Sequence, residues 1–290
     1  MTRPPVTVLM AVYNGRPFVR TAIESILTQS YRDFRFLIVD DASTDDTRDI
    51  VRSYDDSRIE LLPLARNVGQ TAALNLGLKH AVSPWIARMD ADDYSAPPRL
   101  EHQMNVLSGD ASLRCVGTWI WEFRDDPHAR DSVVARPETY PEIRRASLHG
   151  AGVIHGSAVL CRESLLAVGG YDERLRYASD REMFIRFLAR YPARNIQRPL
   201  VGIRRHPGQD SFSKAAADEY IAIFLALLAD PRYVHDVATL RAGLSFSYAF
   251  RARYWQSRRC YREMLKDVAR SVRLAPGPGL RRLARYAIRG

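Results

Sequence analysis

Three carboxylates within four residues have the types and spacing best suited to chemistry in this 290-residue chain: Asp90, Asp92 and Asp93. They follow an apolar run over residues 85–89, typical of a buried strand, and precede residues 97–98, two prolines where a helix is predicted to begin. In open α/β sheets, ligands bind at this carboxyl end of the strands. Because like charges this close repel, the cluster indicates a site for Mg²⁺ or Mn²⁺, which typically bridges carboxylates to a substrate's phosphates. The alternative is an acidic turn that caps the next helix.

The elements that must position these acids alternate between strand and helix. Strands are predicted from the apolar runs over residues 6–12, 34–39, 59–62 and 85–89. Helices are predicted between them, over residues 17–29, after a cap at Ser43 or Thr44, and over residues 67–81. This βαβαβαβ order predicts an α/β fold with a doubly wound, mostly parallel sheet.

The pattern changes after about residue 110. Further strands are predicted near residues 114–122, 156–161 and 199–204, and helices over residues 97–108, 139–148, 179–190 and 214–229. From residue 233 onward the sequence indicates Arg-rich helices. We therefore predict two halves of one domain, 1–110 and 111–215, followed by a basic helical extension over 216–290.

Four sequence motifs stand in order along the first half, and three more follow in the second. Together they closely resemble family 2 glycosyltransferases, which have the GT-A fold, a Rossmann-like, mostly parallel mixed sheet with flanking helices. The resemblance covers about residues 5–215. The motifs are Met10-Ala-Val-Tyr-Asn-Gly15, Val39-Asp-Asp-Ala-Ser-Thr-Asp-Asp-Thr47, Asn67-Val-Gly69, Asp90-Ala-Asp-Asp93, the segment from Gly156-Ser-Ala158 to Gly169-Gly-Tyr-Asp172, Ser179-Asp-Arg-Glu-Met-Phe-Ile-Arg-Phe187 and Arg205-His-Pro-Gly-Gln-Asp-Ser211.

The resemblance implies a donor site for a nucleoside-diphosphate sugar, with a UDP-sugar expected. It implies that Asp41 accepts a hydrogen bond from the pyrimidine base, and that Tyr13 stacks on this base in a pocket lined by Ala11. Asn67 belongs to the same donor-binding set. Helix capping is the alternative role for Asp41 and for its neighbour Asp40.

The acidic motif corresponds to the family's DxD motif. The resemblance implies that Asp92 binds Mn²⁺ or Mg²⁺ directly and that Asp90 lies near the ribose or reaches the metal through water. Asp93 caps the next helix or supports the site. His206 is a second expected metal ligand, or a contact of the diphosphate. A cation there would neutralise the departing diphosphate.

Asp180 is the predicted general base, at the start of a helix whose N-terminus favours an ionised carboxylate. It would take a proton from an acceptor hydroxyl that attacks the anomeric carbon opposite the leaving group, inverting the configuration. Glu182, about half a turn further on, is the competing candidate. Three aromatic side chains, Trp119, Trp121 and Tyr171, are candidates for an acceptor platform, with core packing as the alternative.

The net charge of +10 is concentrated at one end of the chain. Residues 231–290 hold 14 Lys and Arg against 3 Asp and Glu, whereas the remaining residues sum to about −1. The basic amphipathic segment over residues 280–288 predicts association with an anionic membrane surface, close to a carbohydrate or lipid-linked acceptor. A solvated helix face or a dimer contact is the alternative, and no nucleic-acid-binding motif is present.

Several features of the sequence favour a cytoplasmic location, peripheral to the inner face of the cell membrane. No secretory signal pattern is visible, and the longest apolar run, over residues 220–229, is too short to span a bilayer. The three cysteines, Cys115, Cys161 and Cys260, predict neither a disulfide framework nor a zinc site.

The predicted function is that of a metal-dependent, inverting glycosyltransferase, and the resemblance implies a role in surface polysaccharide or glycolipid assembly. Two alternatives belong to other classes. A sugar-nucleotide nucleotidyltransferase would carry a Gly-rich basic loop after the first strand, which residues 13–17 match poorly. A nucleotide-binding scaffold on the membrane would bind the same ligand without turnover.

Overall fold

The computed structural model describes residues 5–206 and 213–276. In chain order, the strands are β1 (Val6–Val12), β2 (Phe34–Asp40), β3 (Ile59–Pro63), β4 (Trp85–Arg88), β5 (Tyr94–Ser95), β6 (Cys115–Phe123), β7 (Ser132–Val134), β8 (Val159–Cys161) and β9 (Ala193–Arg204). The α-helices are α1 (Val19–Leu27), α2 (Thr47–Arg52), α3 (Gln70–His80), α4 (Arg99–Gly109), α5 (Tyr140–Ser147), α6 (Arg162–Ala167), α7 (Ser179–Leu188), α8 (Lys214–Ala229), α9 (Val237–Ser257) and α10 (Tyr261–Leu274).

All nine strands belong to one mixed sheet, in the order β3-β2-β1-β4-β8-β6-β9-β5, with β7 paired to β6. The first four strands in this order pair in parallel. Strand β8 is antiparallel to both of its neighbours, β9 is parallel to β6, and β5 and β7 are antiparallel edges. The predicted α/β fold with a mixed sheet is therefore confirmed, with the parallel pairing concentrated in the first half.

The core lies on both faces of the sheet, as β1 illustrates. Its side chains alternate between two clusters of buried apolar residues: Val8 and Met10 pack with α1, and Leu9 packs with α3 and α7. A strand covered on both faces reads as an unbroken apolar run, which is why this strand could be predicted.

Two loops at the carboxyl edge of the sheet differ from the prediction. Neither Ser43 nor Thr44 caps α2, which begins at Thr47 after Asp46. Instead, the Asn14 amide donates to the Ser43 hydroxyl at 3.0 Å, and the Thr44 amide donates to the Asn14 side chain at 2.8 Å. These bonds join the loops that follow β1 and β2, so they serve the edge of the sheet where ligands bind.

By the density of its internal contacts, the chain divides into two units, Met1–Arg144 with Gly152–Pro207, and Arg145–Ala151 with Gly208–Gly290. In the second unit α8 packs on α9, and α9 on α10. The Arg251 guanidinium joins the three helices, donating to Asp267 at 2.7 Å and to Asp218 at 2.6 Å. Among the described helices, none is both long enough and apolar enough to cross a bilayer.

Candidate active site

The acidic turn lies where the sequence predicts it, directly after β4. Asp93 is buried, and one of its carboxylate oxygens accepts the Arg204 backbone amide at 3.0 Å. Asp90 and Asp92 are half-buried, with side chains 26% and 31% exposed. Two carboxylates therefore remain open to a ligand, while Asp93 ties the turn to β9 and does not cap the helix that follows.

His206, two residues after the end of β9, lies beside this turn. Its Nε2 lies 3.1 Å from Oδ2 of Asp92, although the two residues are 114 positions apart. Arg204 holds this end of the strand in place, since its Nε donates to the Asp92 carbonyl at 3.0 Å and its guanidinium lies between the rings of Phe18 and Phe123. The structure thus brings together the two residues predicted to bind the metal.

Asp90 is paired with a buried arginine at the end of β4, the strand that precedes it. The Arg88 guanidinium, which is fully buried, donates to Oδ1 of Asp90 at 2.5 Å. The other oxygen faces Gly156, where the ideal position of an added Cβ is only 3.1 Å from Oδ2 of Asp90. Any larger residue at position 156 would therefore have to shift this carboxylate by a few tenths of an ångström.

The electrostatics differ among the three acids. Burial, followed by the charge of Asp90, raises the pKa of Asp92. Burial and both neighbouring carboxylates raise the pKa of Asp93 well above its usual range. Burial opposes ionisation of Asp90 as well, but the Arg88 guanidinium holds the pKa of Asp90 below its usual value. In the absence of a cation, the repulsion is therefore borne mainly by Asp92 and Asp93.

Asp41 lies at the end of β2, where its carboxylate accepts two backbone amides from the loop before α3. Val68 donates at 2.7 Å and Gly69 at 2.9 Å, and Gly69 adopts a φ of +88° that favours glycine. The Asn67 side chain donates to the Asp41 carbonyl at 3.3 Å. Asp41 thus fixes the Asn67-Val-Gly69 loop. A nucleotide base that donates a hydrogen bond to Asp41 would have to use one of the remaining lone pairs of its carboxylate.

The other predicted donor-binding residues come from the end of β1. Ala11 is buried in the strand, and Tyr13 just beyond it is 50% exposed, with its ring available for stacking. Asp40 has a structural role, since Arg48 donates to its carboxylate at 2.6 Å and the Ser43 amide donates at 3.2 Å. The helix-capping alternative considered for Asp40 from the sequence is wrong, because α2 begins after Asp46 and its N-cap residue makes no capping hydrogen bond through its side chain.

Asp180 lies in the first turn of α7 and is half-buried. Burial raises the pKa of its carboxyl, and the Arg181 amide, which donates at 2.7 Å, offsets only part of this shift. The charges of Asp90 and Arg88 also act on its pKa, so Asp180 belongs to the same charge cluster. Burial has the largest effect on this pKa and opposes the ionisation that the sequence predicts a helix N-terminus to favour.

Glu182, the competing candidate, is bound to Arg186. The guanidinium donates to both of its carboxylate oxygens at 2.6 Å, and it donates again to the Gly170 carbonyl at 2.8 Å. Both oxygens of Glu182 thus have a fixed cationic partner, whereas the hydrogen bond described for Asp180 comes from one backbone amide. The geometry favours Asp180 as the base.

Two of the three aromatic candidates for an acceptor platform are in the core. Trp121 and Tyr171 are 1% and 2% exposed, and the Trp121 indole donates to the Pro127 carbonyl at 2.8 Å. Trp119 is half-buried and donates to the Arg136 carbonyl at 2.9 Å. The prediction that all three side chains form an acceptor platform is therefore wrong, because a buried ring cannot stack on a sugar.

The residues present fit a divalent cation bound together with a nucleotide. Across residues 5–206 and 213–276, no three His, Cys, Asp or Glu side chains converge as a complete protein metal site. Asp92 and His206 form a two-residue set, and Mg²⁺ characteristically takes one or two protein carboxylates together with substrate phosphates and water. The pair thus leaves coordination positions open for a diphosphate.

Three residues that the sequence did not single out help to build the site: Arg88, His155 and Arg204. Arg88 lies two residues before Asp90, and a lone arginine inside a strand predicted to be buried was a usable signal, since a buried charge needs a partner. His155 and Arg204 carry no such signal, because their contacts with this region come from distant parts of the chain.

Comparison with known proteins identifies the family of the chain. The glycosyl transferase family 2 profile matches residues 7–169. The putative glycosyltransferase EpsE of Bacillus subtilis (strain 168) is 32% identical over 217 residues, which cover 73% of this chain and 76% of EpsE. Two solved structures share the fold. S. aureus TarS 1-349 in complex with UDP-GlcNAc has a TM-score of 0.70 and 18% identity, covering 93% of this chain and 81% of that one. The mannosyltransferase PcManGT from Pyrobaculum calidifontis, in complex with GDP-Man and Mn²⁺, has a TM-score of 0.65 and 21% identity, covering 99% and 81%. The chain belongs to glycosyl transferase family 2 and is a glycosyltransferase.

Proposed function

We propose that the chain transfers a sugar from a UDP-sugar to a hydroxyl acceptor, with inversion of configuration and with Mn²⁺ or Mg²⁺ as cofactor. The observation that carries the proposal is the 3.1 Å approach of His206 to Asp92, beside Asp90 and in one charge cluster with Asp180. This arrangement pairs a cation site with a base. Support for the donor class comes from TarS and PcManGT, whose structures hold UDP-GlcNAc and GDP-Man.

Asp92 and His206 would hold the cation, which when bound assists the departure of the diphosphate by neutralising its charge. Asp90, whose Oδ1 accepts a hydrogen bond from Arg88, would bind the ribose. Asp41 and Tyr13 would bind the base. In this proposal, different residues bind the base, the ribose and the cation-bound diphosphate of the sugar nucleotide.

Asp180 would accept the proton of the acceptor hydroxyl as this oxygen forms a bond to the anomeric carbon. The bond from that carbon to the diphosphate breaks on the opposite side, so the configuration inverts in one step. A pKa raised by burial suits this role, because a base whose pKa lies closer to the working pH accepts a proton more readily.

The direct test is nucleotide release from a panel of sugar nucleotides. We expect the purified chain with Mn²⁺ to release UDP from at least one UDP-sugar, by slow hydrolysis or by transfer to an added glycan or lipid-linked acceptor, and EDTA to abolish the release. Luminescent detection of UDP measures this, with GDP- and CMP-sugars as matched controls. Release of GDP alone would overturn the uridine assignment, and release unaffected by EDTA would overturn the metal requirement. Formation of UTP and sugar 1-phosphate when pyrophosphate is added would indicate nucleotidyl transfer.

We also propose that the enzyme works at an anionic membrane surface, in surface polysaccharide or glycolipid assembly. The segment over residues 280–288, which prompted this expectation, lies outside the described residues. Support within them comes from α10, where Tyr261 and Leu265 are 57% and 60% exposed. Along the adjacent side of the helix run Arg262, Lys266 and Arg273, all exposed. An apolar stripe beside a basic one is the pattern of a helix lying on anionic lipid.

Charge reversal on α10 tests the membrane proposal. With Arg262, Lys266 and Arg273 all replaced by Glu, we expect binding to vesicles containing anionic lipid to fall at least about 100-fold, since each basic residue near such a surface contributes about 1 kcal/mol. Co-sedimentation with phosphatidylglycerol-containing vesicles measures the binding. The matched control reverses three exposed arginines of the first unit, Arg20, Arg52 and Arg190. Equal losses in both triple variants would indicate a nonspecific charge effect and contradict a docking face on α10.

A further inference from the structure

Arg88 is a buried arginine whose guanidinium makes four hydrogen bonds. Its Nη1 donates to the Leu9 carbonyl at 2.8 Å and to the Met89 carbonyl at 3.0 Å, and its Nη2 donates to Asp90 at 2.5 Å. Its Nε donates to Nε2 of His155 at 3.0 Å. A buried cation is costly unless it is paired and hydrogen-bonded, and Asp90 supplies the negative partner. The contacts fix the guanidinium in one orientation.

His155 and Tyr171 complete this arrangement from the second half of the sheet. Burial, and then the charge of Arg88, lower the pKa of His155 to about 3, so its ring is neutral. Its Nε2 accepts a hydrogen bond from the Arg88 Nε. The Tyr171 hydroxyl lies 2.8 Å from the same nitrogen. Asn75 of α3 holds Tyr171 in turn, accepting its backbone amide at 3.0 Å and donating to its carbonyl at 2.8 Å. Arg88 is thus held at its Nε by residues from the second half of the sheet.

The consequence for Asp90 is a carboxylate confined on two sides. Oδ1 is bound by Arg88, and Oδ2 closely approaches Gly156, where an added Cβ would lie only 3.1 Å away. Arg88 also supplies a counter-charge to one of three neighbouring carboxylates. An incoming cation therefore meets Asp90 already neutralised and Asp92 unpaired except for His206.

We infer that Arg88 is a positioning residue for sugar transfer, which acts through Asp90 by fixing the carboxylate that receives the donor and by directing the cation to Asp92 and His206. The inference rests on the proposed function in one respect, namely that Asp90 contacts the sugar nucleotide. Arg88 itself contacts protein groups and not the donor, so the loss of Arg88 should matter only while Asp90 is present.

A double-mutant cycle tests this dependence. We expect Arg88→Met to weaken the affinity for UDP in the presence of Mn²⁺ by about 10- to 100-fold, the range typical of residues that orient a ligand-binding group. Asp90→Asn should weaken it by a similar factor. The double variant R88M/D90N should bind UDP within about 2-fold of D90N alone, because interactions within one network do not add. Isothermal titration calorimetry gives the dissociation constants, and circular dichroism gives the melting temperature of each variant.

Arg99→Met is the matched control, because Arg99 is also a fully buried arginine at this end of the sheet, yet its hydrogen bonds go to Gln103 and to the Arg88 carbonyl. If R99M affects UDP binding only through a loss of structure, it should reduce UDP affinity by the same factor in the wild-type and D90N backgrounds. The variant Arg88→Lys keeps the charge with fewer donors and should fall between wild type and R88M. If R88M does not fold, the cycle is run with R88K.

The outcomes separate this inference from the proposed function. Wild-type UDP affinity in D90N would remove Asp90 from the donor site and so overturn the donor-binding role, whatever Arg88 does. A loss in D90N combined with an unaffected R88M, or with additive losses in the double variant, would overturn the positioning role alone. Loss in D90N with no further loss in R88M/D90N, and additive losses for R99M, establishes it.

Discussion

Replacing Asp180 by Asn is expected to lower kcat by at least about 100-fold while leaving the affinity for UDP and Mn²⁺ within a few-fold of wild type, since general-base catalysis contributes about 10²- to 10⁴-fold. The amide has nearly the same shape and can still accept the Arg181 amide hydrogen bond that the carboxylate now receives. It cannot take a proton from an acceptor hydroxyl. Steady-state transfer rates and calorimetric UDP binding, measured on the same preparation, separate the two effects.

The pH profile gives a second readout for Asp180. The base works only when ionised, so the rate falls as the pH drops through the pKa of this carboxyl in the folded enzyme. Burial raises that pKa, and the acid limb of kcat/KM should therefore lie above the ordinary Asp value of 3.8. The limb should be absent from the residual activity of D180N. A limb of unchanged position in D180N would assign it to another group.

Glu182→Gln is the control for Asp180, because the two acids share the first turn of α7. Removing the Glu182 charge breaks the ion pair with Arg186, which also binds the Gly170 carbonyl. We expect a lower melting temperature for E182Q and a kcat within a few-fold of wild type. Near-normal turnover in D180N would remove the base role from Asp180 and shift it to Glu182 or elsewhere. A 100-fold loss in a well-folded E182Q would point to Glu182.

The first half of the fold could be predicted because its signals are local. Strands covered on both faces, such as β1 and β2, read as continuous apolar runs, and the acids that follow β2 and β4 mark one edge of the sheet. The short elements β5, β7 and α6 were missed. Strands of two or three residues, and a helix of six, hold too few residues to show a period.

The parts of the site that escaped prediction depend on contacts between distant residues. No spacing rule brings His155 to Arg88, or places Arg204 between two phenylalanines. Sequence could nominate Trp121 for sugar stacking, because an aromatic residue looks the same whether it faces the core or a ligand. Its burial follows from the pairing of β6 with β9, where Gly202 leaves room for the indole ring.

The second prediction concerns the metal. Asp92→Asn is expected to abolish the increase in UDP affinity that Mn²⁺ produces in wild type, an effect of at least about 10-fold, because even residues that merely orient a metal ligand typically contribute 10- to 100-fold. UDP titrations with and without Mn²⁺ measure this directly. In wild type, Mn²⁺ with UDP should also raise the melting temperature, since a ligand that binds only the folded state stabilises it. D92N should show little of this rise.

Asp93→Asn is the matched control, because Asp93 is the neighbouring acid but one of its carboxylate oxygens accepts a hydrogen bond from the Arg204 amide. Its amide can still accept that bond, so the response to Mn²⁺ should persist in D93N. The pair of variants therefore distinguishes an acid that binds the metal, Asp92, from an acid that only supports the turn, Asp93.

The raised pKa of Asp92 means that its ionised form destabilises the cation-free fold once the pH exceeds that pKa. At neutral pH without Mn²⁺, D92N should therefore melt at a higher temperature than wild type. An unchanged Mn²⁺ response in D92N would remove Asp92 from the metal site, and a lost response in D93N would extend the site to a third acid.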